Sequence, residues 1–214
     1  MNIKTDKSFK YDYEKLDPAS EEFNFLKETF MSTFLFKGYT GTEVAHMYKV
    51  NERNLVKNEG KKSNNLMLYH GTNQKGVTGI LKEGFRNSEK GWFGKGLYMT
   101  DCSEVALGYS NKDMNSYDRY FVFVNEVLES EKLQTFNSDS KDITDVSIKT
   151  KHQFKKYTNK SSPQPTIGDY IVDFEGRRYV NTPKRSSSDE YIAEASITIP
   201  RYLIVQKRKQ NRQI

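Results

Sequence analysis

The run Tyr-Phe-Val-Phe-Val-Asn-Glu-Val-Leu at 120–128 is the segment that most constrains the fold, because its aromatic and β-branched content predicts a strand. Shorter runs of the same kind recur. Leu66–Tyr69 reads as a strand ending at a loop that begins His70-Gly71-Thr72, and Met47–Val50 and Leu97–Met99 read as strands. Tyr170–Val172 and Arg178–Val180 are placed to pair across residues 173–177, and Tyr191–Ala193 and Tyr202–Val205 are the last two strands. Helical signals are fewer. Asp17-Pro18 reads as a cap and first turn, and Phe23, Leu26, Phe30 and Phe34 recur at helical spacing, which predicts a helix over about 18–36 that ends near Gly38. Asn51–Lys57 reads as a short helix capped by Asn51. Val77, Ile80 and Leu81 share one face of a helix that Gly84 ends, and Ser103–Tyr109 is helical. Short strands outnumber helices, so the fold class is α+β with mainly antiparallel pairing.

At 214 residues a single domain is expected, with residues 1–65 leading into a core at 66–206 and a tail at 207–214. Residues 1–16 read as a loose, charged lead. Residues 131–168, with Ser-Ser-Pro-Gln-Pro at 161–165, read as a long loop whose length suggests a part in binding or covering a site. Aliphatics are sparse, but 14 Tyr and 13 Phe supply enough ring area for a core. No apolar run reaches the roughly 18 residues of a membrane span, and the start has no apolar stretch of the secretory kind. No membrane partner is expected, and the expected compartment is intracellular, cytoplasmic or nuclear. One cysteine, Cys102, and three histidines, His46, His70 and His152, leave no internal disulfide and no basis for a zinc cage, so no metal is expected. Cys102 has no activating base beside it and reads as a buried, inert thiol, while His46 and His152 read as structural or surface residues. The net charge is +6, but residues 201–214 hold five basic groups and no acid. The rest of the chain stands at 29 basic against 28 acidic residues, or +1. The basic excess is therefore a local arm, a weak footprint for nucleic acid.

Three segments carry chemistry: Tyr69-His70-Gly71-Thr72, then Gly94-Lys95-Gly96-Leu97-Tyr98-Met99-Thr100-Asp101 with Tyr109 eleven residues past Tyr98, then Asp189-Glu190-Tyr191-Ile192. Taken singly, each has an ordinary structural reading. His70 could be a satisfied histidine, Tyr98 and Tyr109 core rings, Glu190 a solvated charge, and Gly94 and Gly96 a turn. A phosphate loop is disfavoured, since no Gly-Lys-Ser/Thr follows at the right spacing.

Taken in order, with Gly-Ile-Leu-x-x-Gly-Phe at 79–85 between the first two, the segments resemble the catalytic domain of the poly(ADP-ribose) polymerase family, ADP-ribosyltransferases of the diphtheria-toxin-like type. In that family the motifs run His-Gly-Ser/Thr, Gly-x-Gly-x-Tyr-Phe and x-Glu-Tyr-Ile, with a His, Tyr, Glu triad. The resemblance implies an ADP-ribosyltransferase fold, two packed, mainly antiparallel sheets with flanking helices around an NAD+ cleft. It implies NAD+ as the substrate, with no metal, and His70, Tyr98 and Glu190 as catalytic. His70 would bond the adenosine ribose, and Gly71, with Thr72 in the same set, would clamp the nicotinamide carboxamide through its backbone. Tyr98 and Tyr109 would stack on the two faces of the nicotinamide ring, and Glu190 would bond the nicotinamide-ribose 2′-hydroxyl. The implied partners are NAD+ and a protein acceptor, the protein itself included. Glu190 permits chain elongation without establishing it.

The sequence departs from the family at Ala106, where many members carry a serine whose hydroxyl meets the carboxamide. Losing that bond would cost roughly 0.5–1.5 kcal/mol unless Ser103 or Ser110 replaces it. Met99 stands for the usual Phe, and the loop from Arg86 to Trp92 is short. The 69 residues before His70 are too few for the large regulatory helical domain of the DNA-damage-responsive members. Two other readings stay open: an inactive NAD+- or ADP-ribose-binding module, and a nucleic-acid-directed ADP-ribosyltransferase.

Overall fold

The computed structural model describes residues 8–34, 39, 41–53, 65–89, 95–110, 119–127, 134–137, 170–172, 177–180 and 189–209. In chain order the elements are β1 (Tyr11–Lys15), α1 (Glu21–Ser32), β2 (Thr42–Glu52), β3 (Leu66–Thr72), α2 (Gln74–Glu83), β4 (Leu97–Thr100) and α3 (Ser103–Ser110). They continue with β5 (Arg119–Val127), β6 (Gln134–Asn137), β7 (Tyr170–Val172), β8 (Arg178–Val180), β9 (Asp189–Ala193), a short 3-10 turn (Ala195–Ile197) and β10 (Thr198–Arg208).

The strands form an α+β sheet in the order β1-β2-β10-β5-β3-β4-β9-β6, with β8 pairing β3 and β7 pairing β8. Among the described pairs only β3–β8 is parallel. The two expected sheets are joined at one edge: β3 meets β4 through a single residue pair, Tyr69 with Thr100. That thin join separates the five strands from β1 to β3 from the three strands β4, β9 and β6. The two parts share a core of Leu66, Leu68 and Val127 on one side and Leu97, Met99, Tyr191 and Ala193 on the other. α1 and α3 cover one face of the larger part, where Phe23, Leu26, Phe30, Ala106 and Leu107 bury against Met47, Met67, Val122 and Ile204. α2 covers the opposite face through Val77, Ile80 and Leu81, against Phe121, Phe123 and Leu203.

β5 forms where the densest β-branched run lies, and β7 pairs β8 as expected. α2 ends at Gly84, whose φ of 87° is the left-handed conformation glycine adopts without strain. Other expectations give way to tertiary pairing. The lead is not loose throughout, since Tyr11–Lys15 forms an edge strand on β2 and buries Tyr11. α1 starts at Glu21 and not at Pro18. Asp17 accepts the Ala19 N–H and closes a turn, and the Ser20 hydroxyl then caps the helix by accepting the Phe23 N–H. α1 ends at Ser32, short of Gly38, which lies outside the described residues. Asn51 caps no helix: with Glu52 it ends β2, held opposite β1, and residues 54–57 lie outside the described set. The long loop includes β6, while the remainder of 131–168, with His152 and residues 161–165, lies outside the described residues.

Candidate active site

His70, Gly71 and Thr72 are not in a loop: they complete β3, with Phe123, Val122 and Phe121 of β5 as their partners. Glu190 likewise lies within β9, not before it. Thr100 of β4 is the common neighbour, paired with Tyr69 on one side and with Glu190 on the other. The backbone positions of His70, Tyr98 and Glu190 therefore fall on three adjacent strands near the join between the two parts of the sheet.

The His70 ring is fixed from two directions. Its Nδ1 lies 2.8 Å from the Tyr98 carbonyl oxygen, an acceptor only, so Nδ1 carries the proton and donates. Phe85 meets the ring edge-on at 5.4 Å, and Phe85 is itself braced at 5.8 Å by Phe123 in the core. Burial pushes the His70 pKa below its ordinary 6.5, while the bond to the Tyr98 carbonyl acts the other way. The imidazole is therefore neutral at pH 7, and Nε2 keeps a lone pair able to accept a bond from a hydroxyl.

One expected result follows for pH. Stability should depend on pH through this group. Between the lowered folded pKa and about 6.5 the unfolded chain binds the proton and the folded chain does not, so stability rises with pH across that window and is lost on acidification. Denaturant titrations of wild type and His70→Gln from about pH 8 to pH 5 check this: the wild type should lose the extra stability below about pH 6.5.

His70 and Tyr98 line one cleft of about 460 Å³. Its other walls are α2, through Gly76 and Ile80, and the chain from Gly84 to Ser88. Ser88 and Gly96 close this wall with two backbone bonds, Ser88 N–H to Gly96 O at 2.8 Å and Gly96 N–H to Ser88 O at 3.0 Å. The Asn87 side chain accepts the Ala195 N–H at 2.9 Å and ties the wall to the segment after β9. Gly94 lies outside the described residues.

Gly71 and Ala106 come together by packing. A Cβ on Gly71 would stand 1.7 Å from the Ala106 carbonyl oxygen, so α3 crosses β3 at a distance only glycine allows. The Ala106 side chain is fully buried. Neither nearby serine supplies the missing donor. Ser103 donates to the Phe30 carbonyl at 2.5 Å at the end of α1, and Ser110 donates to the Leu107 carbonyl at 2.9 Å. Thr72, half-buried at the end of β3, faces Gly76 across the start of α2. Tyr109 is 45% exposed on the outer side of α3 and does not line the cleft with His70 and Tyr98. Cys102 is buried, its Sγ donating to the Thr33 carbonyl, and burial pushes its thiol up to about 11, which keeps it protonated and unreactive. His46 is half-buried in β2, well apart from these groups in the sheet order.

Two residues that position the site fall within the motif segments, which give them no role. Phe85 ends the Gly-Ile-Leu-x-x-Gly-Phe run, just after the Gly84 that ends α2. Asp101 is buried and accepts the Tyr191 hydroxyl at 3.2 Å, which fastens β9 to the end of β4 immediately beside Glu190 and Thr100. Among the described residues no group of three or more His, Cys, Asp or Glu is placed to hold a metal ion. No described helix is long and apolar enough to cross a membrane.

Among curated proteins, none matches the chain. A family model does match, that of the poly(ADP-ribose) polymerase catalytic domain, over residues 20–212. That span takes in every element from α1 to β10, and with it the strands that carry His70, Tyr98 and Glu190; the chain belongs to the poly(ADP-ribose) polymerase catalytic domain family.

Proposed function

We propose that the protein is an NAD+-dependent ADP-ribosyltransferase that moves ADP-ribose from NAD+ to a protein acceptor and releases nicotinamide. The catalytic core is residues 66–206, with His70, Tyr98 and Glu190 as its catalytic residues. The observation that carries this reading is the fixed, neutral His70 beside Tyr98 in a cleft of about 460 Å³, within the 300–1,000 Å³ usual for small-molecule sites.

Each group has work that its surroundings suit. His70 Nε2 accepts a hydroxyl of the adenosine ribose while Nδ1 stays bound to the Tyr98 carbonyl. Gly71 holds the carboxamide. The β3–β4 ladder stops at Tyr69, two residues earlier, so no described strand pairs with Gly71 on that edge, and its N–H and C=O can offer one donor and one acceptor to a planar amide. Tyr98 supplies a ring face for nicotinamide, and Tyr109, exposed on α3 outside the cleft, would meet the other face only by turning inward. Ala106 leaves the carboxamide without the serine donor, a loss of roughly 0.5–1.5 kcal/mol that lowers affinity without removing the site. Cleavage of the bond to nicotinamide builds positive charge on the ribose. A carboxylate at Glu190 interacts more strongly with that charge than with the ground state, and so acts on the rate. The acceptor nucleophile then adds to the opened face of the sugar, and nicotinamide leaves as a neutral ring.

The test is incubation of the full chain with NAD+ labelled in the adenosine half. Label on protein together with free nicotinamide is the expected result, and a discrete band or a smear on the gel distinguishes single units from chains. NAD+ binding with neither label transfer nor nicotinamide release would leave only a binding module.

A further inference from the structure

Away from the cleft, the sheet face on the α2 side carries an aromatic and cationic cluster that the catalytic reading does not use. Tyr13 of β1 and Tyr48 of β2 meet edge-on at 5.9 Å, and His46 meets Tyr48 at 6.3 Å. All three rings are half-buried, so each still shows surface. Exposed cations surround them. Lys15 is the strand partner of Tyr48, His46 is the partner of Val205, and two residues beyond Val205 comes Lys207, the partner of Arg119. The acids on these strands cancel only part of this charge. Glu43 takes up Lys207 at 3.1 Å, Glu52 takes up Lys10 at 3.2 Å at the far end of β2, and Asp12 and Glu14 alternate with Tyr13 and Lys15 onto the other side of β1. The patch thus holds three cations against one acid. His46 is held neutral there: burial lowers its pKa first, and Lys15, Arg119 and Lys207 lower it further. Lys207 is also the first residue of the basic tail, so part of that local charge is folded onto this face and is not a free arm.

We propose that this face, Tyr13, His46 and Tyr48 framed by Lys15, Arg119 and Lys207, binds single-stranded nucleic acid. Uncharged rings offer stacking surfaces that any base can use, and flanking cations neutralise the phosphates between the bases. An acidic peptide would use the cations but has no bases to stack on three rings. A duplex hides its base faces and could not use the rings either.

The test uses the full chain and fluorescently labelled 12-nucleotide single strands of DNA and RNA, read by anisotropy at about 50 mM salt and above. Saturable binding is expected, with log affinity falling against log salt at a slope of about −2, as three phosphate contacts on a single strand require. Lys15→Gln with Arg119→Gln should reduce that slope to about −0.7 and weaken binding at least tenfold, and both positions are exposed, so the fold is not at risk. Tyr48→Ala should weaken binding about tenfold at unchanged slope, with circular dichroism reporting that the variant folds; His46→Ala reports the same stacking if it does not. Absence of binding at low salt, equal binding by the charge variant, insensitivity to both ring variants, or tighter binding to a duplex or to anionic vesicles would each overturn the proposal.

Discussion

Glu190→Gln should bind NAD+ as the wild type does and transfer label about 10²–10³-fold more slowly, a loss of about 2.7–4 kcal/mol of transition-state stabilisation. The expectation rests on where the charge is needed. Before the bond breaks, the positive charge sits on the nicotinamide ring and not on the sugar, and a glutamine amide serves the ribose hydroxyl nearly as well. As the bond opens the sugar becomes cationic, and only the carboxylate gains. Isothermal titration gives the affinity, and nicotinamide release under saturating NAD+ gives the rate. Equal loss in both would make Glu190 a ground-state contact, and an unchanged rate would remove it from catalysis. The backbone is not expected to move, since Glu190 is held opposite Thr100 by the ladder and its neighbour Tyr191 is fastened to Asp101.

The residues that the sequence makes legible are those whose signal is local. β5 declares itself through its own side chains, and α2 through three apolar residues on one face with glycine where its last turn must reverse. His70, Tyr98 and Glu190 stand out because three short motifs occur in one order. What stays hidden depends on partners far along the chain. Tyr11–Lys15 alternates for only five residues inside a charged stretch, and its partner in β2 begins 27 residues after it ends. Asn51 has the chemistry of a cap, but antiparallel pairing with Asp12 outweighs that local preference. Asp17 and Ser20 both offer cap oxygens; Asp17 spends its own on Ala19, and the helix starts three residues later than the proline suggests. Phe85 closes the Gly-Ile-Leu-x-x-Gly-Phe run, but what it does is hidden for a similar reason. Its role is to stand between His70 and Phe123, and neither is near it in sequence.

Gly71 shows how one residue can carry two requirements. Its place in the motif suggests a glycine chosen for close approach to a ligand, whereas the structure adds a second neighbour, the α3 backbone at Ala106. Gly71→Ala should therefore damage the fold as well as the site. A Cβ at 1.7 Å from a carbonyl oxygen cannot be relieved by rotating a side chain, because the obstacle is the main chain of a helix that buries Ala106 and Leu107 against β3 and β5. α3 must move off the sheet, which costs at least the upper end of the overpacking range, about 3 kcal/mol. Gly79→Ala is the matched control. On exposed α2 a Cβ at that position meets nothing within 4 Å, and replacing glycine in a helix should stabilise by about 0.4–1 kcal/mol. Urea unfolding of both variants should move the midpoints in opposite directions. If Gly71→Ala unfolds with the wild-type midpoint, then the α3 backbone at Ala106 does not lie against β3.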